Sequence, residues 1–365
     1  MSDFFESGAK GALALGNRGP LRFEPNGDLA ADILDAYWRC GFYVFEGVIT
    51  DDEIDEIKTE LFELLDRAPT GRDADTDRHG RPAVGVGLER PCFRFAQPLG
   101  DPFGGSQANR GRYQIEMNPV EVSADAPSEV LLHITGVMQL MDSVLRLYGH
   151  PQLLRVAAAI NGPDFTPFTS GVWIKEPGLG AAVAWHQDGT THWDSPELDP
   201  GTHGFNFMSN LFSTNPRSAL WVVPGTHAGG RVDLVAMAEE SGSDQLKGAV
   251  PMLCQPGDVA ICTRQVVHGS FPNTSDTMRA TVNFGFHRRA SVLGHVGWDK
   301  EPYTAERIIA RSRVVQLGID ARRQRFPDET SYVYQPVAEE AATLQLNEAT
   351  RESILKNYNV LDIGI

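Results

Sequence analysis

The chain carries a histidine and a carboxylate one residue apart, in the stretch His186-Gln187-Asp188. In an extended strand, side chains two residues apart point to the same face, so His186 and Asp188 would enter one cavity while Gln187 points away. A nitrogen ligand and an oxygen ligand placed side by side suit a divalent first-row metal. Two histidines and one carboxylate that leave open positions on the metal are typical of non-haem Fe(II) that activates oxygen. The pattern therefore requires a second histidine elsewhere in the chain.

His268 meets this requirement, and Arg279 follows it eleven residues later. The eighty residues between Asp188 and His268 are enough for several strands that leave one pocket and return to it. The planar guanidinium of an arginine can hold a carboxylate through two parallel hydrogen bonds, as a dicarboxylate co-substrate would need. His, Asp, His and Arg in this order and spacing are far more specific than an isolated His-x-Asp motif.

These motifs resemble those of the phytanoyl-CoA dioxygenase family, a branch of the Fe(II)/2-oxoglutarate oxygenases. Weaker similarity lies in residues 41–49 and 173–178, so the resemblance covers roughly residues 28–290. The motifs that carry it are His186-Gln187-Asp188, Val223-Pro224-Gly225-Thr226-His227, Pro256-Gly257-Asp258, His268-Gly269-Ser270-Phe271-Pro272-Asn273 and Arg279.

The resemblance implies a role for each residue of the motifs. His186, Asp188 and His268 would be the catalytic metal ligands that hold Fe(II), and O2 would take a remaining position on the metal. Arg279 would bind the distal carboxylate of 2-oxoglutarate, with the Ser270 hydroxyl as its partner. In related halogenases the position of Asp188 holds Gly or Ala, which leaves room for chloride. A carboxylate there favours hydroxylation or desaturation of an unactivated C–H bond, with release of succinate and CO2.

The resemblance also indicates further residues that would line the 2-oxoglutarate pocket or face the metal. Gly171 and Trp173 lie where the family lines the 2-oxoglutarate pocket, and Lys175 could face that pocket or extend to solvent. Met208 lies on a strand that should face the metal together with Asn206, although a register slip of one residue would reverse the face.

The candidate substrate contacts are Trp193, Arg94, Phe95 and Lys175. Trp193 lies on the loop after Asp188 and could form a wall of the substrate pocket, and Arg94 could hold a substrate carboxylate or phosphate. An aromatic strand with an exposed arginine would explain Arg94 and Phe95 equally well. His133 has no partner pattern and is interpreted as an ordinary structural histidine.

Two other functions are compatible with a metal triad. A cupin-type metalloenzyme would use the same metal without 2-oxoglutarate, but such an enzyme has no need of Arg279. A non-catalytic homologue would keep the fold and the metal without the chemistry. The intact set of His186, Asp188 and His268 argues against that second alternative, since loss of function commonly removes a ligand.

Composition restricts the partners of the chain. Its 365 residues include 48 acidic and 32 basic side chains, which give a formal net charge of −16 and a pI near 5.0. This charge argues against nucleic acid or an anionic membrane as a partner, although a local arginine cluster could still bind a small anion. The four cysteines form no Cys-x-x-Cys pair, and no apolar run reaches about 18 residues. The first residues lack a basic region followed by an apolar run, so we expect no signal peptide. We therefore expect a cytoplasmic enzyme that acts on a small molecule, with a homodimer as one arrangement.

The hydrophobic pattern predicts a mainly β fold with flanking helices, in which the core is a jelly-roll or cupin-like barrel. The resemblance makes this core a double-stranded β-helix. The expected domains are an N-terminal extension (1–27) that drapes over the surface, an oxygenase domain (28–290; helical support 28–160 and β-helix core 165–290) and a C-terminal helical extension (291–365). Loops within 69–110 or 189–204 could serve as a lid. The predicted helices cover 29–38, 50–65, 128–148, 303–317 and 341–356, and the predicted strands cover 42–45, 93–95, 113–116, 168–175, 182–187, 205–212, 219–223, 258–262, 265–267 and 278–287.

Overall fold

A computed structural model describes residues 2–105, 115–188, 204–296, 301–356 and 358. The strands are β1 (Arg18–Pro20), β2 (Phe42–Glu46), β3 (Phe93–Ala96), β4 (Val130–Thr135), β5 (Phe165–Lys175), β6 (Val183–His186), β7 (Phe205–Asn210), β8 (Trp221–Val223), β9 (Val250–Pro251), β10 (Val259–Thr263), β11 (Val267–Ser270) and β12 (Arg279–Arg288). The helices are α1 (Ser2–Ala14), α2 (Ala31–Cys40), α3 (Asp51–Asp66), α4 (Asp142–Tyr148), α5 (Pro151–Asn161), α6 (Leu234–Ser241), α7 (Arg289–Val292), α8 (Ala305–Arg325) and α9 (Glu348–Thr350). No helix in these ranges is both long enough and apolar enough to cross a membrane.

The strands form a large sheet and a small sheet. The large sheet has the order β1-β2-β10-β7-β12-β5-β4-β3, and the small sheet has the order β6-β11-β8-β9. From β5 onward the chain passes repeatedly between the two sheets, since β5, β7, β10 and β12 belong to the large sheet while β6, β8, β9 and β11 belong to the small one. Apart from the parallel pair β1–β2, the strand pairs of both sheets are antiparallel. The alternation makes two sheets that face each other, which is the predicted double-stranded β-helix.

The two faces of the large sheet have different chemistry. The outer face contributes apolar side chains such as Val172, Val282 and Phe284 to the main hydrophobic core, which also contains residues of α3, α4, α5 and α8. On the inner face, Val44 and Ala260 pack against Val222 of the small sheet. Because side chains alternate along each strand, the residues between those of the core point toward the small sheet.

The C-terminal helix α8 is part of the main core. A Cβ built on Gly318 would lie 2.6 Å from the carbonyl oxygen of Leu145 in α4, so the two helices meet with no room for a side chain at that point. The buried Arg322 of α8 donates to Glu53 of α3 at 2.5 Å, and Tyr334 donates to the carbonyl oxygen of Phe165. The chain beyond residue 304 therefore supports the outer face of the large sheet.

The N-terminal segment forms a helix where the sequence predicted only a surface extension. Phe4 of α1 stacks on the indole ring of Trp221 in β8, with ring centroids 4.7 Å apart and an interplanar angle of 14°. Phe5 meets the same indole edge-on at 5.6 Å. Apolar burial against the small sheet thus stabilises α1.

Two predicted helices are wrong in this structure. Residues 128–148, predicted as one helix, form β4, a 3-10 turn (Val137–Gln139) and α4. Gly136, at φ 64°, lies in the left-handed region and interrupts any helix there, while β4 pairs with both β3 and β5. Residues 341–356 contain only the short α9 and a π-helical turn (Arg351–Leu355), and a 3-10 helix (Gln335–Glu340) precedes them. Of the predicted strand 113–116, Ile115 forms an isolated bridge with Trp185, and residues 113 and 114 lie outside the described ranges.

The loop between α3 and β3 is organised around Asp77. Its carboxylate accepts hydrogen bonds from Arg67 Nε at 2.7 Å, from Arg81 Nε at 2.9 Å and from the backbone N–H groups of His79 and Arg81. Although burial opposes ionisation, these donors hold the pKa of Asp77 well below its ordinary value. The part of the loop that precedes β3 is therefore an ordered structure, and its role as a lid stays a prediction.

Candidate metal and co-substrate site

The three predicted metal ligands meet at one end of the small sheet. His186 in β6 and His268 in β11 are directly opposite each other in the antiparallel pair, and their ring centroids are 4.2 Å apart. Nε2 of His186 lies 3.5 Å from Oδ1 of Asp188, and Nε2 of His268 lies 3.7 Å from Oδ2. One ligand atom from each residue fits within a 4.8 Å span of the others. This spacing and this donor set fit one divalent metal ion.

Backbone carbonyls orient both imidazoles toward that point. Nδ1 of His186 lies 2.7 Å from the carbonyl oxygen of Ala184, and Nδ1 of His268 lies 2.9 Å from that of Val266. A carbonyl oxygen can only accept, so each Nδ1 must donate its proton there, which leaves the lone pair of Nε2 for a metal. The ligand set is therefore in the tautomer that metal binding needs.

Asp188 is the third candidate ligand, and both its backbone and its side chain interact with neighbouring residues. Its backbone N–H donates to the carbonyl oxygen of Arg264 at 2.8 Å. Burial favours the neutral acid, but the neighbouring His186 and His268 imidazoles and Arg264 hold the pKa of Asp188 well below its usual range. Asp188 is consequently a carboxylate at neutral pH.

Gln187 points away from the metal ligands, as the alternation of side chains predicts. Its Nε2 donates to the carbonyl oxygen of Gln265 at 2.6 Å and to that of Gly230 at 2.9 Å. Its Oε1 accepts from the backbone N–H of Val232 at 3.0 Å. Gln187 therefore ties the end of β6 to two neighbouring loops and fixes the direction of the ligands on either side.

Arg264 and His287 lie behind the metal ligands and have no counterpart in the sequence prediction. Nε of Arg264 is 4.0 Å from Oδ2 of Asp188, and its Nη1 is 2.9 Å from Nε2 of His287. Arg264 is 3% exposed and His287 is completely buried. The Arg264 guanidinium thus places a positive charge next to the Asp188 carboxylate.

Two buried cations mark the other end of the cavity. Arg279 and Lys175 are opposite each other across β12 and β5, at 5% and 1% exposure. Lys175 Nζ donates to the carbonyl oxygen of Phe271 at 2.6 Å, and Arg279 Nη1 donates to that of Ser218 at 3.0 Å. In the described part of the chain, neither cation forms an ion pair with an acidic side chain. The alternative in which Lys175 extends to solvent is therefore wrong.

Because these cations are buried, a negatively charged group beside them would be stabilising. Burial lowers the pKa of Arg279 to about 10, and burial together with the Arg279 charge lowers the pKa of Lys175 well below its ordinary value. Arg279 Nε and Ser270 Oγ are buried and find no hydrogen-bond partner among the described residues. Unpaired buried charge and unsatisfied donors are costly, so the end of the cavity fits an anion such as a carboxylate.

The remaining predicted site residues are divided between the two faces of the large sheet. Trp173 and Met208 lie on the inner face, because Trp173 is opposite Thr281 and Met208 is opposite Asn283. Asn206 shares the face of Met208, and its Oδ1 is buried without a partner among the described residues. Phe95 alternates with Arg94 and packs against the main core on the outer face, so its prediction as a substrate contact is wrong.

Gly171 makes room for a histidine that sequence reasoning set aside. A Cβ built on Gly171 would lie 2.1 Å from Nε2 of His133, so only glycine leaves space for that ring. The His133 ring lies against Trp173, with centroids 4.4 Å apart. Gly171 thus leaves room for the His133 ring on the inner face. Trp193 lies outside the described residues.

Comparisons with known proteins agree with this site. Residues 103–281, which contain all three metal ligands and Arg279, match the family described as phytanoyl-CoA dioxygenase (PhyH). "Phytanoyl-CoA dioxygenase 1" of Oryza sativa subsp. japonica is 30% identical over 113 residues, which cover 29% of this chain and 39% of that protein. "Phytanoyl-CoA dioxygenase" of Arabidopsis thaliana is 22% identical over 270 residues, which cover 69% of this chain and 87% of that protein.

The fold also matches a solved structure. The crystal structure of EctD from S. alaskensis with 2-oxoglutarate and 5-hydroxyectoine superposes with a TM-score of 0.51 at 18% sequence identity. The matched region covers 75% of this chain and 81% of that one. This similarity confirms the double-stranded β-helix.

Proposed function

We propose that this chain, whose residues 103–281 match the phytanoyl-CoA dioxygenase family, is an Fe(II)- and 2-oxoglutarate-dependent oxygenase acting on a small organic molecule. The observation that carries the proposal is the placement of two sites between the same two sheets, since Lys175 of the large sheet donates to the carbonyl oxygen of Phe271 just after the end of β11, the strand that carries His268. A metal-ligand triad lies at one end, and two buried cations without acidic partners among the described residues lie at the other. A metal alone would explain the first site, whereas the second requires an anionic co-substrate.

In this proposal, His186, Asp188 and His268 hold Fe(II) through Nε2, one carboxylate oxygen and Nε2. Arg279 and the hydroxyl of Ser270 bind the far carboxylate of 2-oxoglutarate. When bound, Fe(II) and 2-oxoglutarate together activate O2 and supply the oxidant, with succinate and CO2 as co-products. The protein fixes the geometry and excludes water from the reacting centre.

In this proposal Lys175 supports the binding of 2-oxoglutarate. Its ammonium group is buried beside Arg279 and lies 2.6 Å from the carbonyl oxygen of Phe271, just after Ser270. Lys175 therefore positions the turn that carries Ser270, and it adds positive potential where the co-substrate carboxylate would lie. Arg279, with its planar fork, would make the directional hydrogen bonds.

The specific reaction we propose is hydroxylation, or desaturation, of an unactivated C–H bond. Asp188 supports this choice, because its carboxylate occupies the position that a halogenase leaves free for chloride. Trp173 and Met208 line the inner face together with the amides of Asn206 and Asn283, which are suited to orient a polar substrate.

Anaerobic titration of the Fe(II)-loaded protein with 2-oxoglutarate tests the proposal. A visible metal-to-ligand charge-transfer band should appear in the wild-type protein. The band should be lost in His186→Ala and Asp188→Ala, because these variants lose iron. Arg279→Ala should still bind iron, but a much higher concentration of 2-oxoglutarate should be necessary for the band to appear. Absence of the band from wild-type protein that demonstrably holds iron would refute the 2-oxoglutarate assignment.

The same samples separate the two alternatives. A cupin-type metalloenzyme that works without 2-oxoglutarate would bind iron and consume O2 with no charge-transfer band, and Arg279→Ala would leave its activity unchanged. A non-catalytic metal-binding homologue would bind iron but would release no succinate from 2-oxoglutarate with any substrate. Arg279 and Lys175 are buried and form no ion pair with an acidic side chain among the described residues, which favours the 2-oxoglutarate oxygenase over both.

A further inference from the structure

We propose that the substrate of this enzyme carries an acidic group, a carboxylate or a phosphate, which Arg94 binds while the adjoining carbon skeleton packs on His133 and Trp173. This inference rests on the proposed function, since it concerns the substrate side of the same cavity. It names a class of substrate and a residue that selects for it.

The inner face of the large sheet differs in charge from the chain as a whole. The protein has a formal net charge of −16, with 48 acidic residues against 32 basic ones. At the described inner positions of β3, β4, β5, β7 and β12, however, there is no aspartate or glutamate, whereas Arg94, Lys175 and Arg279 are all present. An acidic protein that lines one surface with cations alone attracts anions to that surface.

Three neighbouring strands bring Arg94, His133 and Trp173 into register. Arg94 in β3 is directly opposite His133 in β4, and His133 is directly opposite Trp173 in β5. Directly opposed residues of an antiparallel pair point to the same face, so the three side chains form a row across the inner face. Trp173 joins this row to the strand that ends at Lys175, where the co-substrate would be anchored.

Arg94 has no acidic partner among the described residues. Its side chain is exposed, and none of the ion pairs in the described ranges includes it. Arg72, a surface arginine of the loop after α3, instead pairs with Glu129 at 3.0 Å. Arg94 is thus a cation on the cavity face that is available to a ligand.

His133 supplies a neutral surface next to that cation. Burial, with a smaller contribution from the Arg94 charge, lowers the pKa of His133 to about 3, so the ring is uncharged at neutral pH. Its Nδ1 lies 3.1 Å from the hydroxyl oxygen of Thr135, and its ring lies against Trp173. An apolar or planar carbon skeleton can stack there while its acidic end reaches Arg94.

Matched neutral and anionic probes test this proposal. We would measure the binding of phenylacetate and phenylacetamide by calorimetry, anaerobically, to protein loaded with Fe(II) and saturating 2-oxoglutarate so that Arg279 is occupied. The variants are Arg94→Gln and Arg94→Lys, with Arg72→Gln as the control that removes the same charge from the surface. Phenylacetate should bind at least about tenfold more tightly than the amide in the wild-type and control proteins, as a charge-assisted pair predicts.

In Arg94→Gln this preference should fall to about twofold or less, and Arg94→Lys should restore part of it, because it keeps the charge and loses the fork. Equal affinity for the two probes in the wild-type protein, absence of phenylacetate binding, or an undiminished preference in Arg94→Gln would overturn the inference. The charge-transfer band is recorded on the same samples. A normal band without carboxylate preference rejects the substrate class alone, whereas a missing band rejects the proposed function.

Discussion

Replacement of Arg279 by glutamine is the sharpest test of the co-substrate end of the cavity. Arg279 Nη1 is already bonded to the carbonyl oxygen of Ser218 at 3.0 Å, so Nε and Nη2 are the donors left for a ligand. Truncating one partner of a buried, hydrogen-bonded charge pair typically costs about 2–5 kcal/mol. Lys175 still supplies a positive charge in the variant, which places the expected loss at about 2–3 kcal/mol. The dissociation constant for 2-oxoglutarate should therefore rise about 30- to 150-fold.

The same substitution should have little effect on the stability of the protein without 2-oxoglutarate. Loss of the donor to Ser218 is unfavourable, but the substitution also removes a cation that is 5% exposed and has no acidic partner in the described residues. Replacing an uncompensated buried charge by a neutral side chain is often neutral or stabilising. We expect the free energy of unfolding to change by less than about 1 kcal/mol, while the stabilisation that saturating 2-oxoglutarate gives the wild-type protein is largely lost.

The assay is anaerobic titration of the iron-loaded protein, followed by the charge-transfer band, beside urea unfolding with and without 2-oxoglutarate. Arg217→Gln is the matched control, because Arg217 is exposed and lies one residue before Ser218. An Arg279→Gln protein whose affinity for 2-oxoglutarate stays within threefold of wild type, with iron bound normally, would refute the reasoning. Strong destabilisation of the ligand-free variant would instead identify Arg279 as a structural cation.

The remaining predictions concern the metal, the C-terminal helix and the loop before β3. Anaerobic Fe(II) at about a hundred times its dissociation constant should stabilise the wild-type protein by about 2.7 kcal/mol but not Asp188→Ala; equal thermal shifts would contradict the metal assignment. Gly318→Ala should cost about 1–3 kcal/mol in urea unfolding, because its Cβ would lie 2.6 Å from a carbonyl oxygen of α4, whereas Gly229→Ala, whose nearest atom is 3.8 Å away, should be close to neutral. Asp77→Asn should be less stable than wild type at pH 7. Since the pKa of Asp77 is lowered on folding, that difference should shrink as the pH falls below about 4, and a difference that is constant from pH 7 to 2.5 would exclude the ionised carboxylate as its source.

Local signals in the sequence were sufficient for several elements and for the identity of the metal ligands. Thr50, the first residue of the predicted helix 50–65, is the N-cap of α3, and its hydroxyl accepts from the backbone N–H of Glu53 at 3.3 Å. Gly41, shortly after the predicted helix 29–38, ends α2 in the left-handed region at φ 82°. Both features depend on a few consecutive residues, which is why they can be inferred without the fold. The same holds for the direction of Gln187, which follows from the alternation of side chains along a strand.

The segment 128–148 shows where local patterns are insufficient. Its apolar residues occur at helical spacing, yet Val130–Thr135 form a strand because β3 and β5 offer hydrogen-bonding partners on both sides. The register shift between Arg94 and Phe95 then decides which residues of β3 and β4 face the cavity. A predicted helix over 128–148 gives no reason to place His133 beside Trp173 on the inner face of the sheet, where the strand pairing puts it.

The sequence by itself determined which residues could perform the chemistry: His186, Asp188, His268 and Arg279 are recognisable by type, order and spacing. Only the tertiary structure decided where the charges lie. Arg279 and Lys175 become neighbours because β12 and β5 pair in one register, and Arg264 comes within 4.0 Å of Asp188 through a turn that is 76 residues away in sequence. Burial and strand register depend on contacts across the whole chain, so no short pattern encodes them. These contacts place two buried cations side by side in an acidic protein.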